Sequence, residues 1–457
     1  MVEGSALSGN AIFHFLHQKF KKVRDYRNPL WVEIPLSDFL MSSFAIFSLK
    51  FSSLLKFEEA MRERRGFSNL NTLFHVSRVP SDTQMRTVLD EIEPDQLRPM
   101  FSALFARAQR AKCLEDFKFL NNHYLVSADG SNYFSSNEIH CSSCLTTRTK
   151  DKDGKEQVLY SHKMLAASVV HPDKNTVIPL CPEPIQRQHG QTQNDSEQAA
   201  MSRFVKAFRE DHPKLKVILL GDALHANAPQ INELKAHNMS YILSAKPGSH
   251  VKLFESLEKF DVLKTFDAYF VEEEIGDKIK KKRTHVFRFK NRVLLNHTDL
   301  NLSVNFLEYW ETTQWVDSKG ELQQTKLHFS WVTDIEITRA NIMQVMRGGR
   351  ARWKIENETF NTLKNQGYEF EHNFGHGLKH LSTVFAFMMM LAFLADQLQE
   401  IGCKIFQSAL KKELNKRSRL WDAIKALYMF CPQLANWEQF LDVIAKPENW
   451  KLVPNSS

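Results

Sequence analysis

The stretch from Lys216 to Gly248, "KVILLGDALHANAPQINELKAHNMSYILSAKPG", constrains the fold of this chain more than any other. After Lys216 its opening run is apolar at every position, the mark of a buried strand rather than a half-exposed one, and it ends at Gly221-Asp222. "NAPQINELKAHN" then reads as a helix and "SYILSAKPG" as another strand. Upstream, "HYLVSADGSNYF" is a short apolar run that delivers Asp129 to the end of a strand. "HKMLAASVVHP" and "NTVIPLCPEP" follow as two more strands, and "DSEQAAMSRFVKAFREDHP" is an amphipathic helix with Asp195 as its cap. Strands first, then alternating helix and strand, predict an α/β sheet.

The remaining chain divides by pattern. With 457 residues it exceeds one ordinary core. Residues 1–122 have apolar residues at helical spacing and predict an all-helical N-terminal domain. Residues 123–248 are the first part of the α/β core. Residues 249–337 alternate as antiparallel strands ("THVFRFKNRVLLN", "VNFLEYWETTQWV", "LHFSWVTDI"). Residues 338–400 return to helix and close the core, and 401–457 form a helical C-terminal segment. Within the first block, "NLNTLFHVSRVPSDTQMRTVLDEI" reads as helix, turn, helix. Pro80 ends the first helix and Ser81 or Asp82 caps the second, which suits either a DNA-docking motif or a plain helical hairpin.

Composition limits the partners. Apolar content of 43% and charged content of 25% are those of an ordinary folded domain, and the formal net charge of +7 suits a polyanion partner without requiring one. No secretion signal pattern opens the chain, and six cysteines in this length argue for a reducing, cytoplasmic setting rather than a disulfide scaffold. The apolar run "LSTVFAFMMMLAFLA" is short for a membrane span and is expected to be a buried helix.

Three carboxylates carry the chemistry. Asp129 and Asp222 each follow an apolar strand, where α/β sheets gather ligands, although a lone aspartate there is also a common turn former. The third lies in "ARWKIENETFNTLKNQG". On a regular helix, Trp353, Phe360 and Leu363 fall within about 60° of Glu356, whereas Glu358 falls about 200° away on the polar face. Glu356 is therefore expected on the apolar stripe, where a carboxylate needs a metal or a cation to compensate it; Arg352, one turn earlier, is the structural alternative. Asp129, Asp222 and Glu356 together would form a divalent-metal site suited to attack on a phosphodiester.

The ordered trio "SADGS", "LLGDAL" and "RWKIENETFNTLK", with a strand-rich block before the last, resembles a DDE transposase of the cut-and-paste insertion-sequence type. The resemblance covers roughly residues 125–397. It implies an RNase H-like mixed sheet with an antiparallel β insertion, and Asp129, Asp222 and Glu356 as the catalytic triad holding Mg²⁺ or Mn²⁺. It further implies Arg352 and Lys364 as DNA-phosphate contacts. The family's tyrosine is replaced by Gly349, and Lys364 lies one residue further from the glutamate than is usual. The implied partners are double-stranded DNA, as terminal inverted repeats and target, and a second copy of the chain on that DNA, with no membrane.

Two further patterns stand apart. "HCSSC" places Cys141 and Cys144 at the spacing of a zinc knuckle, with His162 and His140 as candidates to complete four ligands; reduced cysteines in a hairpin loop are the alternative. "DKIKKKRTHVFRFKNR" is a basic stripe in which Lys281, Lys282 and Arg283 would track a phosphate backbone, or merely solvate an edge strand. His372, His376 and His380 have metal-like spacing, but the glycines of "FGHG" argue against a regular helix and against that trio as a site. The function expected is metal-dependent strand cleavage and transfer at the ends of a mobile element. The alternatives are a hydrolytic nuclease of the same fold and a non-catalytic DNA-binding derivative.

Overall fold

The computed structural model describes residues 6–62, 64–150, 154–187, 193–262, 266–276, 280–296, 302–431 and 434–450. Among the described residues six α-helices come first: α1 (Gly9–Phe20), α2 (Leu36–Ser48), α3 (Leu54–Arg62), α4 (Arg64–Phe74), α5 (Asp82–Leu89) and α6 (Arg98–Arg110). Twelve strands of one sheet come next: β1 (Lys118–Phe119), β2 (His123–Ser136), β3 (Leu145–Lys150), β4 (Glu156–Val170), β5 (Ile178–Pro179), β6 (Glu183–Ile185), β7 (Val217–Gly221), β8 (Ser240–Ser244), β9 (Asp267–Ile275), β10 (Lys281–Leu294), β11 (Ser303–Val316) and β12 (Leu322–Thr333). Helices α7 (Glu197–Asp211), α8 (Ala228–Ala236) and α9 (Val251–Val262) are interleaved with them. After β12 come α10 (Ile342–Arg350), α11 (Asn361–Asn365), α12 (Leu381–Gly402), α13 (Lys404–Lys412), α14 (Arg417–Phe430) and α15 (Trp437–Ala445).

The architecture is mixed α/β. Along the sheet the order is β3-β4-β2-β7-β8-β12-β11-β10-β9. β4 runs antiparallel to β2, while β2, β7 and β8 are parallel neighbours, as the wholly buried "VILLG" of β7 requires. The strand-rich block opens with α9 and then forms an antiparallel meander, β9 to β12. It joins the rest of the sheet through three residue pairs between β12 and β8. Its face carries a ladder of stacked rings, Phe287, Tyr309, Phe329 and Trp331, at centroid distances of 4.9 to 6.5 Å. Cross-strand ring pairs of this kind are what hold a meander in register.

The helices of the two chain ends share one core. Phe13 packs on Trp437 at 5.1 Å, Asn69 donates to the carbonyls of Tyr428 and Cys431 at 2.8 Å each, and α2 lies along α12. The Asp90 carboxylate accepts from the backbone N–H groups of Leu378, Lys379, His380 and Leu381, and so caps α12 from the end of α5. The change of pattern near Asn122 is thus a change of secondary structure, and the apolar faces of the first helices are covered by the last ones.

Several local expectations need correction. The first helix of the helix–turn–helix ends at Phe74, where His75 takes φ 58°, six residues before the second cap; Pro80 does not stop it. Ser81 caps α5 in a capping box with Gln84. Ser196 caps α7, while Asp195 pairs with Arg203 at 2.6 Å. "NTVIPLCPEP" yields only the short β5 and β6. The apolar run of α12 extends to 22 residues, long enough to cross a membrane, yet it is buried inside the protein as a core helix.

Candidate functional site

The parallel register pairs Ser127 of β2 with Leu220 of β7, so Asp129 and Asp222, each two residues further on, stand level on adjacent strands. Asp129 is not at the end of its own strand, because β2 runs on to Ser136 against β4. It lies where β7 stops, which leaves its side chain at the mouth of the sheet. Each aspartate is oriented by a nearby backbone N–H: Gly130 donates to Asp129 and Leu224 to Asp222, both at 2.9 Å.

The segment carrying Glu356 lies across the same face. Ser127 donates to the Arg352 carbonyl at 2.9 Å, and Ser168 of β4 pairs with Thr359 at 3.1 Å, two buried contacts that fix the segment on the strands. This segment is not a regular α-helix. A 3-10 turn at Ala351–Trp353 runs into a π-helical stretch at Ile355–Phe360, and α11 follows. Tighter and then wider winding displaces every side chain from its 100° position, and π segments often mark functional sites. Trp353 consequently points outward at 46% exposure, and the buried positions are Ala351, Arg352, Ile355, Thr359, Phe360, Thr362 and Leu363. Glu356 does not lie within the apolar stripe. Its side chain is 38% exposed against 21% for Glu358, which the helical wheel had made the more solvated of the two.

Glu356 nevertheless faces the aspartates through Arg352, whose guanidinium lies 3.0 Å from Glu356 and 3.4 Å from Asp129. The structural Arg352–Glu356 pair foreseen as an alternative is therefore formed, and it forms inside the acidic group rather than away from it. Burial pushes the Asp129 carboxyl up to about 6; Glu197 raises it next, Glu356 and Asp222 add to this, and Arg352 opposes it. Glu197 is the residue that sequence reasoning missed. It opens α7, holds His225 at 3.1 Å, and lies so close to Gly130 that a Cβ there would meet its carboxylate at 2.3 Å. Only its place in the first turn of "DSEQAA" hinted at it.

Electrostatics here predicts a pH effect on the metal-free protein. Asp129 binds its proton more tightly folded than unfolded, so ionising it costs stability above about pH 6, and the cost fades as pH falls towards the ordinary value near 3.8. Asp129→Asn should therefore raise stability at pH 7.5, without added divalent cation, by on the order of 1–2 kcal/mol. The gain should shrink by pH 4.5. Thermal melts of both proteins at the two pH values measure it, and an equal gain at both would rule out this origin.

The expected phosphate contacts fare differently. Lys364 pairs with Glu371 at 2.7 Å. Lys281 covers the ring of Trp315 at 4.6 Å, Lys282 pairs with Glu272 at 2.8 Å, and Arg283 pairs with Glu273 at 3.2 Å and Glu311 at 3.7 Å. Strand β9, with its three consecutive glutamates, thus lies directly against the basic stripe and neutralises much of it; residues 277–279 of that stripe lie outside the described residues. Gly349, at the expected tyrosine, is covered by the Trp331 indole, whose ring a Cβ would meet at 2.6 Å. Arg350 reaches Glu311 at 2.6 Å, so the meander docks on the segment that carries Glu356.

A second group gathers around the middle of β4. Cys141, Cys144, His162 and His376 present ligand atoms all within 4.8 Å of one another. Among the described residues this is the one such group, so the carboxylates converge less tightly than these four. All six cysteines are free thiols. A hydrogen bond from Cys144 draws the Cys141 thiol far below its usual range, with His162 adding to the effect, and burial pushes the other way. His140 is not part of the group, since it stacks on Tyr160 at 4.4 Å. The histidine trio also separates: His372 packs on Phe374, His380 lies against Glu93, and His376 alone turns inward. The cluster can hold a metal such as zinc. Neither the known protein families nor the curated proteins include a match to this chain.

Proposed function

We propose that the protein is a metal-dependent nuclease–strand transferase acting on double-stranded DNA, with Asp129, Asp222 and Glu356 as its catalytic carboxylates. The observation that carries this reading is the meeting of these three residues, from elements up to 227 positions apart, on one face of the sheet where β7 ends. The antiparallel β4–β2 pair, followed by the parallel β2, β7 and β8, is the arrangement expected of an RNase H-like core. The meander lies between the second aspartate and the glutamate segment, as the resemblance implies.

The donor set fits Mg²⁺ or Mn²⁺, since it offers only hard carboxylate oxygens and since Asp129 is held above its ordinary range partly by the neighbouring negative charges. Such a cation, when bound, supplies Lewis-acid activation of the attacking hydroxyl and stabilises the leaving oxygen. The chain's own residues do the rest. Ser127 and Ser168 hold the glutamate segment on the sheet, and Gly130, lacking a Cβ, leaves room for the Glu197 carboxylate. Glu197 with His225 extends the negative wall. Arg352, the cation placed among the carboxylates, is the donor best situated to meet a phosphate.

A hydrolytic nuclease is the second reading. It gains from the character of α5, which exposes the uncharged Thr83, Gln84 and Thr87 and has Arg86 tied to Asp82 at 2.5 Å, a face with little to recognise particular ends. The full chain should be incubated with linear duplex carrying the inverted repeats that flank its gene, in Mg²⁺ or Mn²⁺, and products resolved on denaturing gels. Joined products support strand transfer, nicked products alone support the nuclease, and no metal-dependent cleavage of either kind overturns the carboxylate assignment.

A further inference from the structure

The four-residue group around His162 of β4 has the dimensions of a coordination shell. Zinc takes thiolate sulfur at about 2.3 Å and imidazole nitrogen at about 2.0–2.1 Å in a tetrahedron. Those lengths require edges of about 3.8 Å between sulfurs, about 3.5 Å from sulfur to nitrogen and about 3.3 Å between nitrogens. The structure has Cys141 Sγ to Cys144 Sγ at 3.9 Å. His162 Nε2 lies 3.4 Å from Cys141 Sγ and 3.3 Å from Cys144 Sγ, and His376 Nε2 lies 3.3 Å from Cys144 Sγ and 3.2 Å from His162 Nε2. These five edges agree with a tetrahedron to within a few tenths of an ångström. A disulfide would need the sulfurs at about 2.05 Å, which these are not.

Orientation agrees with size. His376 donates from Nδ1 to the Gly377 carbonyl at 2.8 Å, which leaves the Nε2 lone pair facing the group, the usual arrangement behind a metal-ligating histidine. Cys144, His162 and His376 are buried, and four protein ligands leave no open position for a substrate or a nucleophilic water. The group is also distinct from the carboxylates. His162 stands four residues along β4 from Ala166, the register partner of Asp129, a separation of about 13 Å.

We propose that Cys141, Cys144, His162 and His376 bind one structural Zn²⁺. The ion joins the loop after β2, the strand β4 and the irregular segment between α11 and α12, which has little regular hydrogen bonding of its own. It thereby pins the glutamate-bearing segment from its C-terminal side, and this proposal is independent of the nuclease reading.

The full chain, purified without added metal, is expected to contain one zinc per chain by elemental analysis. Stripped and reloaded with Co²⁺, it should show the intense visible bands of a tetrahedral site together with a thiolate charge-transfer band. Cys144→Ser and His376→Ala should each abolish or greatly weaken retention, whereas His372→Ala, at the same spacing from His376, should retain a full equivalent. If the ligand variants do not fold, the cobalt spectrum of the parent protein still decides. Absence of zinc together with absence of a tetrahedral thiolate–cobalt spectrum overturns the site. So does zinc retained at one equivalent in folded Cys144→Ser and His376→Ala proteins. Loss of zinc in Asp129→Asn would likewise overturn it, by placing the ion among the carboxylates. Absence of cleavage in zinc-loaded protein would count against the nuclease reading alone.

Discussion

Glu356→Gln is expected to lower divalent-metal-dependent DNA cleavage about a thousandfold, equivalent to about 4 kcal/mol of barrier, while leaving the protein folded. Glutamine keeps the shape and can still accept a hydrogen bond from Arg352, but it removes the negative ligand. Folding should survive because Glu356 is half exposed and the segment is held by Ser127, Ser168 and the buried Ile355 and Thr359, none of which the substitution touches. Two positions on, Glu358 pairs with Lys354 at 3.8 Å, a contact worth about half a kcal/mol, so Glu358→Gln should leave cleavage intact. Burial alone would rank the two the other way, since Glu358 is the less exposed, which makes the comparison informative. Cleavage surviving in folded Glu356→Gln, or lost in Glu358→Gln, would remove Glu356 from the site. Asp129→Asn and Asp222→Asn should match the loss seen with Glu356→Gln.

The second large effect concerns stability. Lys50, just past the end of α2, lies 2.7 Å from Asp396 in the C-terminal half of α12, and both side chains are almost wholly buried. Its ammonium also donates to the Phe47 and Ser48 carbonyls and sits between the rings of Tyr368 at 4.0 Å and Trp421 at 4.2 Å, while Tyr368 donates to Asp396 at 2.5 Å. Burial lowers the Lys50 pKa and raises that of Asp396, each offset by the other's charge. Asp396→Ala strands the ammonium and should cost about 3–5 kcal/mol in chemical denaturation, whereas Lys50→Met with Asp396→Leu should recover most of that loss. A cost below about 1 kcal/mol for the single change would mean the pair is screened by water. Because this pair joins the first helices to the last, its loss should loosen the N-terminal helices as well.

Local pattern was enough for what local pattern encodes. Apolar runs that end in Asp129 and Asp222 made strands because an unbroken β-favouring run has to be covered on both faces, and the order of elements then made the sheet mixed. Cys-x2-Cys spacing put Cys141 and Cys144 in one loop, and the apolar run from Leu381 made α12 a helix whose burial, not its length, shows it to be a core helix. Other features depended on contacts that no periodicity records. His376 joins His162 across 214 positions, from a segment whose glycines Gly375 and Gly377 take left-handed turns, so no helical spacing announces it. The exposure of Glu356 follows from a π-helical winding that a 3.6-residue wheel cannot reproduce. The basic stripe of β10 was visible, but its neutralisation by Glu272 and Glu273 depends on cross-strand register. Likewise the apolar faces of α1, α2 and α4 could be read off the chain, whereas their covering by α12, α14 and α15 could not. A side chain's neighbours along an element are set by backbone geometry; its neighbours across elements are set by which burial lowers the free energy of the whole chain.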